Sequence, residues 1–491
     1  MPAQSTSERG YSPPNPSGLP GEIPGKGGYS VEFERKGASV IIASRFIPGT
    51  RLPTYVAAGV LKAPFWKFVG YFLIATVVWT PLIVGVSAFV GQQLMDFWTT
   101  YESYAIWALL VLVFFLYAFV QLIVPVFSHR GRRMLLSTWR RWTRWEFWPP
   151  FIFYPPLILR IMKLAFEHRS IMAFTAANPA IESGGFLGES KAQILSLLSR
   201  TPELVARYEL VSAGESAASQ AIEKMKTLSL VFPVVLKPDV GDRGHFVQIV
   251  HAEVEIEHYF SQFHGDVIIQ EYIEGEEYGI FYVRHPSEEG GMIFSITEKK
   301  LVSVVGNGRD TLERLIMDDD RAVNMSPLFF RRHAMQLEDV IPENEVYPLV
   351  SIGTHSRGAL FLDGGYLLTV ALEQEINRIA VQMEGFFFGR FDVRVPSAAH
   401  LERGEGIMIM EVNGVSAEAT HVYDPSTPLR HAYRVLGHQW RLAYQIGRAR
   451  RRDGHRPSRL RDVMRQIYLN KINPRQKPDK SSAAVAKGRV S

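Results

Sequence analysis

At 491 residues the chain is long enough for two or three domains. It has no cysteine, which excludes disulfides, thiolate metal sites and cysteine nucleophiles. The formal charge is only +5, but residues 441–491 hold 15 Lys or Arg against three Asp, the pattern of a solvated, membrane-apposed or disordered basic tail.

Residues 1–30 are rich in Pro, Gly and Ser, lack an apolar run long enough for a cleavable signal peptide, and read as a flexible leader. In FERKGASVIIASRFIPGTRLPTYVAAGV, residues 33–60, Arg45 and Arg51 flank a Phe-Ile-Pro-Gly turn inside an otherwise apolar run. Pro48-Gly49 breaks any helix there. Broken backbone at membrane depth is tolerated only where protein or a water-filled cavity satisfies it, so the two charges point to a polar pathway or a lipid-phosphate contact. Phe68 to Met95 then runs 28 positions without a charge, and Ser103 to Ser128 runs 26. Each exceeds the roughly 20 residues that cross a bilayer core, which predicts transmembrane helices at about 68–92 and 104–127; buried helices of a soluble protein are the alternative. The link Asp96 to Glu102 has two acids and no Lys or Arg, whereas Arg130 to Arg144 has six Arg and Lys26 to Lys67 seven basic residues. Both flanks are therefore expected on the cytoplasmic side. RRWTRWEFW, residues 140–148, interleaves Arg with aromatic rings as an interfacial helix does, and residues 129–165 read as a basic interfacial segment. A nucleic-acid patch is the rival reading, disfavoured by its place just after a span.

The residues Arg45, Phe46, Pro48, Gly49 and Arg51, followed by Ala58-Gly59 and the span with Trp79, resemble the C-terminal half of the DedA family, also called VTT-type. The resemblance covers about residues 30–92, within a membrane region placed at 31–128. It implies contact with membrane lipids; the family's N-terminal half has no counterpart, so either transport or a retained anchor is open.

After residue 165 strands alternate with helices, as in an α/β or α+β enzyme. FPVVLKPDVGDRGHFVQIV, residues 232–250, reads as strand, Gly-containing loop, strand. Lys237 ends the first strand, where its ammonium reaches a phosphate, and Gly241 and Gly244 let backbone N–H groups close over it. The spacing is not that of a Walker A loop. VIIQEYIEGEEYGIFYV, residues 267–283, reads as a strand that turns at Gly275 and returns as another. Glu271 is a candidate partner for an adenine amine and Glu277 for ribose hydroxyls; Glu274 and Glu276 read as a solvated acidic turn. In FFFGRFDVRV, residues 386–395, Arg390, Asp392 and Arg394 alternate on one strand face and need partners. In the run from Gly406 to Val412, Glu411 precedes Asn413 by two, so both side chains share a face. Asp392, Glu411 and Asn413 make an all-oxygen set that suits Mg²⁺, with Mn²⁺ as a substitute, held with substrate phosphates.

In this order, Lys237, the Gly loop, Glu271, Asp392 and Glu411-x-Asn413 resemble an ATP-grasp domain, covering about residues 186–425 within a domain placed at 166–440. The nearest likeness is to carboxylate-amine ligases such as D-alanine-D-alanine ligase and cyanophycin synthetase. The resemblance implies ATP held by Lys191, Lys237, the loop Gly241, Asp242, Arg243 and Gly244, and by Glu271 and Glu277; Mg²⁺ on Asp392, Glu411 and Asn413; and Arg390 stabilising an oxyanion. Candidates for the acceptor site are His355 and Arg357 in VSIGTHSRGALFLDGG, with Arg394 and Ser416; a plain surface loop is the other reading of 350–365. The expected architecture is an α-helical membrane region followed by an α+β ATP-grasp domain. The expected activity is ATP-dependent amide formation through an acyl phosphate, with a carboxylate and an amine as substrates and no nucleic acid, on the cytoplasmic side of a bacterial-type inner membrane. The alternative is a DedA-type lipid or solute transporter with a regulatory ATP-binding domain. Substrate identities and oligomeric state are open.

Overall fold

The computed structural model describes residues 55–56, 64–241 and 244–472. The DedA-like residues Arg45 to Arg51 and the loop residues Asp242 and Arg243 lie outside the described residues. The chain divides between Phe119 and Val120 into two compact units.

The described part of the first unit is dominated by one helix, α1 (Phe65–Ala118). Two stretches, Phe65–Gly91 and Ile106–Phe127, are long and apolar enough to cross a membrane, and their side chains are almost wholly unburied by protein. The two stretches overlap the spans expected at about 68–92 and 104–127. The link Asp96 to Glu102 between them is helical. At about 1.5 Å per residue the helix would be roughly 80 Å long, against about 30 Å of hydrocarbon, so two crossings of one bilayer require a break between the stretches. Pro81 sits inside the helix, a position where lipid-embedded helices tolerate a lost hydrogen bond.

In the second unit, Ser128 caps α2 (His129–Thr143) by accepting from the Gly131 N–H at 2.9 Å. Helix α3 (Pro155–Glu167) opens with two prolines, which suit a first turn because no intrahelical partner awaits their missing N–H. Two antiparallel sheets follow. The first has four strands in the order β1-β4-β2-β3: β1 (Tyr208–Val211), β2 (Val234–Pro238), β3 (Gln248–Val250) and β4 (Val267–Glu271). Helices α4 (Ala217–Thr227) and α5 (Glu253–Gln262) bury Ala221, Met225 and Ile256 against Val234, Leu236, Val267 and Ile269 of this sheet.

The second sheet has five strands, β5 (Glu276–Val283), β6 (Met292–Lys300), β9 (Leu360–Asp363), β10 (Phe388–Val395) and β11 (Met408–Asn413), in the order β11-β10-β5-β6-β9. Strands β7 (Ser303–Val305) and β8 (Val346–Pro348) pair separately, within an insert that has its own small core around Leu312, Phe329 and Leu349. Period-2 alternation assigns the two faces of the second sheet. Tyr278, Ile280, Phe391, Val393 and Val395 meet Leu372, Ile376 and Ile379 of α6 (Val370–Gln382). Each such fully buried side chain contributes about 1.5–3 kcal/mol of transfer free energy. On the other face Phe281, Val283 and Phe388 meet Ala443, Tyr444 and Ile446 of α7 (Leu429–Arg452).

Two expectations are revised here. Strands β4 and β5 do not form a hairpin: they belong to different sheets, and Gly275 (φ +122°) carries the chain between them where a Cβ would strike the Val395 carbonyl. The packed unit also reaches beyond 166–440. Phe153, Leu157 and Leu164 before it, and Ala443, Tyr444 and Ile446 after it, are buried core residues.

Gly447 on α7 lies against the backbone of Ala173, so that an added Cβ would run into the Ala173 carbonyl oxygen. Gly447→Ala is expected to destabilise the second unit by about 1–3 kcal/mol in chemical denaturation, because neither helix nor backbone can step aside cheaply.

Candidate active site

The two sheets meet along β11. Ala206 N–H, just before β1, donates to the Ile409 carbonyl at 3.0 Å, and both Lys237 Nζ on β2 (3.0 Å) and Gln270 Nε2 on β4 (3.2 Å) donate to the Met410 carbonyl. The face of the second sheet that packs on α7 at Phe388 turns charged further along β10. Asp392 stands directly opposite Glu411 across the β10–β11 ladder, and Arg390 opposite Asn413. Side chains of directly opposite residues share a face at about 5 Å.

Asp392 is the centre of this cluster. Its Oδ1 accepts from Arg390 Nε at 2.8 Å and pairs with Lys299 Nζ at 3.0 Å, and its Oδ2 accepts from Arg390 Nη2 at 3.0 Å and Asn413 Nδ2 at 3.2 Å. Lys299 also binds Glu277 Oε1 at 2.9 Å, and Arg394 Nη2 reaches Glu277 Oε2 at 3.4 Å while its Nη1 donates to the Ile273 carbonyl. Burial alone would raise the Asp392 carboxyl; Arg390 and Lys299 outweigh it and hold the group well below the usual carboxylate range. For Lys299, burial favours the neutral amine, and Asp392 and Glu277 together overcome it and keep the ammonium.

Around the cluster sit groups poised to change charge. Burial pulls Lys237 down to about 8 against the opposing pull of Glu411. Burial and then the charge of Glu411 push Glu189 up to about 7, and its buried Oε2 has no hydrogen-bond partner. Lys191 Nζ donates to the Gly241 carbonyl and, at 3.3 Å, to that of Asp239, which ties the helix start at Lys191 to the loop after β2. Gly244 adopts φ +69°, with Thr354 and Arg357 beside its missing Cβ.

The structure thus brings together Lys237, Glu277, Arg390, Asp392, Arg394, Glu411 and Asn413, and places Lys191, Gly241 and Gly244 at the adjoining loop. Three expected contacts are already occupied. Glu271 is not an open acceptor for an adenine amine, since Arg207 grips both its oxygens at 2.7 and 3.0 Å. Glu277 is committed to Lys299 and Arg394 rather than presented to ribose. Arg357 donates to the Gly244 and Val247 carbonyls at 3.1 and 3.2 Å, so it fastens the 350–365 insert to the glycine loop. His355 is ringed by Phe361 and Tyr423, with centroids at 5.4 and 5.0 Å. Ser416 is exposed.

Sequence reading overlooked Lys299 and Glu189, whereas Glu418 reads there as either an acceptor contact or a helix cap. Lys299 carried a signal: in a strand ending Glu-Lys-Lys one lysine must face inward. Glu418 accepts from Tyr154 and Tyr423 hydroxyls at 2.9 Å each, and its carbonyl accepts from Arg390 Nη1 at 3.1 Å.

Asp392, Glu411 and Asn413 are the oxygen donors a hard divalent cation would use, and a cation on Asp392 would have to share or displace its present partners Arg390, Lys299 and Asn413. Two carboxylates and an amide face each other on adjacent strands, and the Asn413–Asp392 hydrogen bond uses the amide nitrogen, keeping the amide oxygen for a cation.

Residues 188–283 match the RimK-like ATP-grasp domain, and residues 25–89 match the VTT domain. The chain joins a VTT domain to an ATP-grasp domain. Over 73 residues it is 36% identical to undecaprenyl phosphate transporter A of Bacillus subtilis, a stretch covering 15% of this chain and 35% of the transporter. The chain therefore spans about a third of that relative's length. Solved structures similar to it include the VanG D-Ala:D-Ser ligase of Enterococcus faecalis, with 14% identity over 52% of this chain and 60% of that one at a TM-score of 0.32. A D-alanine–D-alanine ligase of Bacillus anthracis has 14% identity over 54% and 68% at 0.31. A bifunctional glutathione synthetase of Pasteurella multocida has 13% over 51% and 35% at 0.29. The VTT match and the two apolar stretches support membrane association.

Lys299→Met is expected to lower unfolding free energy by about 3 kcal/mol, because it strips a buried pair of one partner. Lys300→Met, which removes the outward lysine paired with Glu298, should change it by less than about 1 kcal/mol. A separate expectation concerns acid. Burial, aided by Arg321, pushes His355 down to about 4 from an ordinary value of 6.5. The unfolded chain takes up this proton first, so stability falls between about pH 6.5 and 4, by up to about 3 kcal/mol. His355→Phe should flatten that part of the pH–stability curve.

Proposed function

We propose that the ATP-grasp domain is an ATP-dependent carboxylate-amine ligase that works on the cytoplasmic side of the membrane. The observation that supports this most strongly is the pairing of Asp392 with Glu411 across two strands, with Arg390 and Lys299 beside them and Lys237 arriving from the other sheet.

A divalent cation held by Asp392, Glu411 and Asn413 would supply charge neutralisation on the nucleotide phosphates. The chain's own residues do the rest. Lys237, whose ammonium donates to the Met410 carbonyl at 3.0 Å, offers a phosphate a cation from the neighbouring sheet. Gly241 and Gly244 let backbone N–H groups approach the same phosphates. A substrate carboxylate attacks the γ-phosphorus and becomes an acyl phosphate as ADP leaves. An amine then adds to the acyl carbon, loses its proton, and expels inorganic phosphate to leave an amide. Arg390, fixed by two hydrogen bonds to Asp392 and one to the Glu418 carbonyl, is oriented in advance for the oxyanion of that addition. Positive flanks on both sides of the apolar stretches support the cytoplasmic placement.

The likeness to a named undecaprenyl phosphate transporter favours a second reading, a lipid or solute transporter regulated by its ATP-binding domain. Replacing Arg45 and Arg51 separates the two: it abolishes transport and leaves ligation intact.

With the full chain in lipid nanodiscs, the ligase reading predicts Mg²⁺-dependent phosphate release that requires both a carboxylate and an amine from a panel of amino acids and small acids. Glu411→Gln and Lys237→Ala should each lower it on the order of 100-fold. Release that ignores added acid and amine, or that survives both substitutions, contradicts the proposal.

A further inference from the structure

Helix α3 is apolar on both sides. Leu157, Leu164 and Ala165 are buried in the domain, yet Leu159, Met162 and Phe166 on the opposite side are 68%, 61% and 85% exposed. Their spacing of three and four residues makes one stripe along the helix. Helix α2 is held inward by arginines and leaves aromatic rings outside. Arg133 and Arg140, seven apart, hold it to the insert: Arg133 donates to the Met317 and Asp318 carbonyls at 2.5 and 2.7 Å, and Arg140 to Asp320 Oδ1 at 3.0 Å. Trp139 and Trp142, three apart, stand 68% and 64% exposed, and Phe151 between the helices is 77% exposed. Exposed apolar side chains gathered on one side in this way mark a contact surface.

We propose that the outward face of residues 139–171 rests in the headgroup layer of a bilayer carrying anionic lipid. This is a second membrane contact beyond the spans, and it belongs to the ATP-grasp unit itself. Three observations select a bilayer as occupant. Residues 129–171 contain nine Lys or Arg and two acids. Of those acids Glu146 is buried against Arg321 at 2.9 Å and Glu167 is tied to Lys163 at 3.8 Å. With Arg130, Arg133 and Arg140 paired to Glu313 and Asp320, the arginines Arg132, Arg141, Arg144, Arg160 and Arg169 make the outer side cationic. A second copy of the chain would oppose like charges, whereas anionic headgroups complement them. Tryptophan beside arginine at the edge of an apolar stripe is the composition that sits at the headgroup boundary, with the apolar side about 5–10 Å deep. The surface also follows directly on an apolar stretch that ends at Phe127, and Arg132 Nη1 donates back to the Val126 carbonyl at 3.0 Å.

The face is tied to the candidate active site. Trp145 Nε1 donates to the Thr427 carbonyl at 2.8 Å, and the Tyr154 hydroxyl to Glu418, five residues beyond Asn413. A bilayer holding Trp142 and Phe151 would thereby fix the height of that loop above the lipid, whatever reaction the site performs.

The chain has no cysteine, so single-cysteine spin labels carry no background. Full-length Trp142→Cys, Phe151→Cys and Phe166→Cys are labelled in nanodiscs of phosphatidylcholine and phosphatidylglycerol, with Val231→Cys and Val254→Cys, 79% and 67% exposed, as controls. Collision with oxygen is compared with collision with a water-soluble nickel chelate, in variants whose circular dichroism melting is unchanged. The expected result is oxygen preference at the three face positions, nickel preference at both controls, and a weaker oxygen preference in discs of phosphatidylcholine alone. Nickel preference at the face positions overturns the proposal. Shielding from both reagents also overturns it, since a protein partner would then cover the face, and no response to phosphatidylglycerol overturns its anionic-lipid part.

Discussion

Asp392 lies buried between a lysine and an arginine, and the arrangement of the ATP-grasp unit follows from what it takes to keep it there. A carboxylate in that position is costly unless its charge is matched and both oxygens are hydrogen-bonded. Lys299 from β6 and Arg390 from β10 provide the match, and Asn413 from β11 completes the set. Those partners come from three strands of one sheet, so sheet register and electrostatics specify each other. A slip by one residue would turn Arg390, Asp392 and Arg394 into the α6 core and Phe391 and Val393 out of it.

The second consequence is the meeting of the two sheets. Lys237 and Gln270 cross from the four-stranded sheet to one carbonyl of β11, and Gly275 supplies the backbone conformation that lets the chain pass from one sheet to the other. The space between the sheets therefore has a cation from one side and carboxylates from the other. That charge pattern is the one the proposed nucleotide-metal site would use. Helices α2 and α3 extend the same logic outward: their inner sides complete the domain, and their outer sides are left apolar and basic.

Much of this was legible. The alternation in FFFGRFDVRV and the two-residue spacing of Glu411 and Asn413 anticipated the side chains that share one face of the β10–β11 pair, because period 2 is a strong constraint; their metal role belongs to the proposal. The transition from β4 to β5 was not legible, since a Gly-containing turn looks the same whether the next strand returns or joins another sheet. Lys299 was overlooked because its partners are distant in sequence. The basic composition after residue 440 hid the Ala443, Tyr444 and Ile446 stripe that makes α7 part of the core. Glu271 read as free only because Arg207, 64 residues earlier, could not be seen beside it.

The most direct test of a nucleotide-metal site is Mn²⁺ electron paramagnetic resonance on the full chain in nanodiscs, titrated with and without ATP. The account predicts a tight Mn²⁺ site that appears only with ATP and is lost in Asp392→Asn and in Glu411→Gln. A folded chain that binds no Mn²⁺ in the presence of ATP, or binds it equally well in both variants, would contradict it.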